Sequence, residues 1–111
     1  MNQIATVNQS IRTLLSILRS SNDKNIVILD EKVRLITQNS PTRPIERIRE
    51  LDIAFNIDVD HLMEALALLC QSFNLGTHYE ESIRGVVNRS PPTLKDRMVT
   101  CLRDIVSAAN L

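Results

Sequence analysis

Glycine, aromatic residues, cysteine and net charge are all scarce in this sequence, and each scarcity removes a class of function. Two glycines, Gly76 and Gly85, leave no glycine-rich loop to cradle a phosphate and no GxSxG nucleophile elbow. Three aromatic residues (Phe55, Phe73, Tyr79) and no Trp argue against base-stacking platforms and aromatic cages. Two cysteines, Cys70 and Cys101, form no CxxC and read as buried core thiols, not as a disulfide framework or zinc knuckle. Thirteen Lys plus Arg balance thirteen Asp plus Glu, so the chain as a whole is neither a nucleic-acid arm nor an acidic tail. The longest apolar run is Ala65 to Cys70, and the start Met1 to Thr6 carries no basic segment. The expectation is a cytoplasmic protein with no signal peptide and no membrane partner.

What the sequence has in quantity is aliphatic side chains: 34 of its 111 residues are Ile, Leu or Val. That is enough to bury a core in one domain spanning residues 1–111. Their spacing is helical. Ile4, Val7, Ile11, Leu14 and Leu18 form a 3-4-3-4 stripe, and Asn22 or Asp23 is placed to cap the next helix. Over residues 26–36, Ile26, Leu29, Val33 and Ile36 again keep helical spacing. The alternative is a β-hairpin of two β-branched runs around Asp30-Glu31-Lys32, which lacks the Gly or Asn of a tight turn.

Thr42 and Pro44 start a short helix bearing Ile45, Ile48, Leu51 and Phe55. Asp58 or Asp60 caps the most apolar helix, with Leu62, Leu66, Leu69 and Phe73, which Gly76 ends as a left-handed residue. Thr77 and Glu80 suggest a capping box for a fifth helix carrying Ile83, Val86 and Val87. Ser90-Pro91-Pro92 stops it, and Thr93 opens a sixth with Leu94, Met98, Cys101, Ile105 and Ala108. The fold class is therefore all-α, a bundle of five to six short helices.

The residues suggest no enzyme, metal or cofactor. Asp58, Asp60, His61 and Glu64 cluster in sequence, but they read as helix-start groups favoured by the positive end of a helix dipole. Asn56 to Asp60 resembles the opening of a calcium loop, but it has His61 where glycine is required and Ala67 where a bidentate Glu belongs. Charge is uneven, with seven acids and no base between Arg49 and Arg84 and basic flanks on either side.

Two functional readings fit this pattern. The first is a protein–protein interaction module: an adaptor, a chaperone-like protein, an anti-activator or a viral or phage accessory protein. Its partner is another protein or a second copy of the chain. Leu15, Ile17 and Leu18 are the expected partner or dimer surface, because the first helix carries more apolar residues than one neighbour would cover. The second is a helix-turn-helix DNA-binding regulator formed by residues 78–111, with Arg84, Arg89, Thr93, Lys95 and Arg97 as nucleic-acid contacts.

Overall fold

The computed structural model describes residues 3–50, 57–75 and 77–111. They form six α-helices and one short 3-10 turn: α1 (Gln3–Arg19), α2 (Lys24–Asn39), α3 (Arg43–Glu50), the turn Val59–His61, α4 (Leu62–Ser72), α5 (Glu80–Arg89) and α6 (Pro92–Ala109). The hairpin alternative over 26–36 is replaced by helix throughout. Leu51 and Phe55, expected on the face of α3, lie outside the described residues, as does Gly76.

Local chemistry explains most boundaries. After α1, Asn22 takes a left-handed conformation (φ 61°) that Asn tolerates better than most residues. Asp23 then caps α2, its carboxylate accepting the N–H groups of Asn25 and Ile26 at 2.9 and 3.2 Å. Pro44 sits in the first turn of α3, where a missing N–H costs nothing. Asn74, just after α4, takes a left-handed conformation (φ 57°), whereas the cap expected at Gly76 lies outside the described residues. One expected cap is corrected. The Thr77–Glu80 capping box does not form: residues 77–79 make a turn, α5 starts at Glu80, and the Glu80 carboxylate instead accepts Gln71 Nε2 at 2.8 Å. Tyr79, 2% exposed, closes that turn with helical backbone angles and its carbonyl accepts the Ile83 N–H.

α1 lies along α6, its most extensive neighbour, and also contacts α2 and α3; α4 packs on α5, α3 and α6. The Gln3 side chain bonds the far end of α6, and Thr13 and Ile17 share a cleft with Asp96 and Arg97 near its start, so α1 and α6 run antiparallel. One cluster of buried side chains joins all six helices, from Val7 and Leu14 through Ile26, Ile48, Leu62, Leu66 and Ile83 to Met98 and Ile105. The radius of gyration, 12.8 Å, is that of a well-packed chain of this length.

This arrangement corrects the surplus expected on α1. Leu15, Ile17 and Leu18 are 5%, 6% and 2% exposed. Because α1 is flanked by three helices and not by one, neighbours of the same chain cover all three residues.

The last turn of α6 is closed from a distance. Gln3 Nε2 donates to the carbonyls of Ala108 (2.7 Å) and Ala109 (3.3 Å), and Arg49 Nε donates to Ala109 at 2.8 Å. Carbonyls left unpaired by the end of the helix are thus satisfied by side chains from α1 and α3.

Candidate functional site

The α1–α2 pair carries a concave site with both an apolar and a charged lining. A groove of about 300 Å³ is walled by Asn8, Ile11, Arg12 and Leu15 of α1, by Val33, Arg34, Thr37 and Gln38 of α2, and closed by Pro41. Its floor is apolar, since Ile11, Leu15 and Val33 are core residues. Its rim is polar and basic.

Behind the groove sits a buried acid. Asp30 is fully buried and accepts Arg19 Nη1 at 2.6 Å and Arg34 Nε at 3.1 Å, while the two arginine side chains remain 44% and 50% exposed. A buried carboxylate is tolerated when its oxygens are paired in this way. The contact fixes Arg34 by its Nε edge. Arg12 is exposed and makes no ion pair or hydrogen bond among the described residues. Asn8 is 6% exposed; its Nδ2 donates to the Pro41 carbonyl at 3.1 Å, and its Oδ1 is buried with no partner among the described residues.

Neither Asp30 nor Asn8 stands out as a site residue in the sequence, although a signal exists for both. Asp30 sits in register with the core positions Ile26, Leu29 and Val33, four residues before Arg34. Asn8 is one residue beyond Val7 and seven before Leu15, on a face the bundle covers. A polar residue inside an apolar stripe is buried with it.

The outer face of α2 points away from the core. It carries Ile28 (43% exposed) and Leu35 (58% exposed), two turns apart on one side.

The five residues of the helix-turn-helix reading lie along α5 (Arg84, Arg89) and in the first two turns of α6 (Thr93, Lys95, Arg97). Arg84, Arg89, Thr93 and Arg97 are exposed and Lys95 is half-buried. They do not form an unbroken basic face. Arg84 and Arg89 share a hollow with Asp23 and Glu81, and Arg97 shares one with Asp96. The Arg89 guanidinium also folds back over Gly85, where an added Cβ would meet its Nη1 at 3.2 Å. α6 packs chiefly on α1, and α5 on α4 and α2.

Among the described residues no group of three or more His, Cys, Asp or Glu could hold a metal ion, and no helix is long and apolar enough to cross a membrane. Cys70 and Cys101 are both buried and unpaired. Burial, reinforced by the Glu80 charge, pushes the Cys70 thiol up to about 12. The Cys101 thiol is raised by burial and by Asp104, partly offset by Arg97.

At the start of α4, Asp58 Oδ1 accepts the backbone N–H of His61 at 3.0 Å and meets its ring Nδ1 at 2.7 Å. The hydrogen bond to the ring lowers the Asp58 pKa from 3.8 and, together with the carboxylate charge, raises that of His61 from 6.5. The depressed Asp58 loses its contribution as pH falls through its folded value, and the raised His61 loses its own as pH rises through its folded value. The pair therefore stabilises most between 3.8 and 6.5. In an NMR titration, His61 is expected to protonate above pH 6.5, and Asp58→Asn to bring it back down. A His61 midpoint unmoved by that substitution would show that the contact does not persist in solution.

Comparison of the chain with protein-family models, with curated proteins and with solved structures finds no match in any of the three.

Proposed function

We propose that the protein is a non-enzymatic protein–protein interaction module that docks its partner on the outer face of α2. The observation behind this reading is the pair Ile28 and Leu35. Large aliphatic side chains scattered singly over a surface are ordinary. Here two of them share one helix face, flanked by Lys24, Glu31 and Lys32 in the manner of an apolar centre with a charged rim. An adaptor or an assembly partner fits this description, and a second copy of the chain is one form the partner can take.

The test is a double substitution, Ile28→Glu with Leu35→Glu. Both side chains already face water, so the melting temperature should stay close to that of the parent, within about 0.5 kcal/mol in stability. Partner capture from native cells, or the dimer seen by sedimentation if the partner is a second copy, should be lost. Undiminished capture and an unchanged sedimentation profile would refute the assignment. The competing DNA reading has its own arm: if Lys95→Ala with Arg97→Ala abolishes function, and a duplex binds the parent with an affinity that falls steeply with salt, the protein is a regulator of the helix-turn-helix kind.

A further inference from the structure

We propose that the groove between α1 and α2 receives an acidic segment of the partner protein, with one carboxylate held between Arg12 and Arg34. The inference rests on the protein–protein interaction reading and names the chemistry of a second contact beside the α2 face.

Charge is the first support. Arg12 has no partner among the described residues, Arg34 spends only its Nε on Asp30, and no carboxylate lines the groove. Arg12 and Arg34 are the charged residues of the groove wall, so positive charge faces the opening. A guanidinium offers paired N–H donors that match a carboxylate, and Arg34 is already positioned by its bond to Asp30, so less freedom is lost on binding.

The second support is the apolar floor of Ile11, Leu15 and Val33, which favours an aliphatic neighbour of the acid over a bare phosphate.

The probe is a short capped peptide alternating Glu and Leu, titrated into the full ¹⁵N-labelled chain. Saturable shifts are expected at the Asn8 side-chain amide and at the Nε–H of Arg12 and Arg34. Arg12→Glu, at an exposed residue without a partner among the described residues, should keep the parent melting temperature and weaken binding by about tenfold or more. Arg97→Glu makes the same charge change elsewhere and should leave binding intact. Peptide binding needs neither Ile28 nor Leu35, so its survival in the Ile28→Glu, Leu35→Glu variant separates this site from the α2 face. The proposal is overturned by any of three results: the peptide with Gln in place of Glu binds as well, inorganic phosphate reproduces the same shifts, or Arg84 and Arg97 respond as strongly as Arg12.

Discussion

Leu66→Ala is expected to cost about 2–5 kcal/mol, the range for removing a fully enclosed leucine side chain. Leu66 is 1% exposed in the middle of α4, the most apolar helix, and belongs to the cluster that joins all the helices. Its loss removes transfer energy and leaves a cavity that the neighbouring backbones cannot close without moving the bundle. Against a total stability of about 5–15 kcal/mol for a natural domain, the variant should melt many degrees lower and express poorly in soluble form. Leu69, 7% exposed on the same face, should follow with a smaller loss. Thermal or urea unfolding of the two variants checks both values. A parent-like melting temperature for both would mean that this face of α4 is not core.

The second large effect comes from Asp30. Replacing Arg19 and Arg34 together by Ala leaves a fully buried carboxylate with neither ion-pair partner, and the expected cost is about 3 kcal/mol, at the low end for a broken buried ion pair because both arginines are half-exposed. Each single substitution should cost less than half of that, since the surviving arginine still neutralises the acid. Restoring stability by adding Asp30→Asn to the double variant identifies unpaired charge, and not lost packing, as the cause. Chemical denaturation of the parent, the single, the double and the triple variants forms the cycle. A double variant as stable as the parent would show that water reaches Asp30.

The α2 segment shows what the sequence discloses and what it withholds. Ile26, Leu29 and Val33 are buried at helical spacing, as the periodicity implies, and the β-branched run that admits a hairpin divides between the core (Ile26) and the solvent face (Ile28). Spacing selects the helix but does not say which of its aliphatic residues remain uncovered, because that depends on which helices arrive as neighbours. For the same reason Leu15 and Ile17, which look surplus on a helix taken alone, are covered once α6, α2 and α3 surround α1.

The groove is visible in the sequence only in part. Arg12 and Arg34 are 22 positions apart, and no local pattern brings them together; the antiparallel return of α2 along α1 does. Asn8 and Asp30 can be picked out as polar residues inside apolar stripes, whereas their partners, the Pro41 carbonyl and Arg19, come from tertiary packing. Turn chemistry is the least legible level. The Thr77 and Glu80 pattern of a capping box is present without the box, and the left-handed conformation of Asn74 is marked in the sequence by nothing beyond the tolerance of Asn for it.

The clasp of Gln3 and Arg49 on the last carbonyls of α6 has a topological consequence. Gln3 Nε2 reaches the carbonyls of both Ala108 and Leu111, so the two ends of the described chain meet and the backbone traces a nearly closed ring. Closing that ring with a short linker while opening it between Ser20 and Ser21, which are exposed in the turn after α1, would preserve the packing of all six helices. The order in which the helices occur along the chain is thus separable from the way they pack, and the α1–α2 groove could be carried by a permuted chain in which its two walls come from opposite ends of the polypeptide.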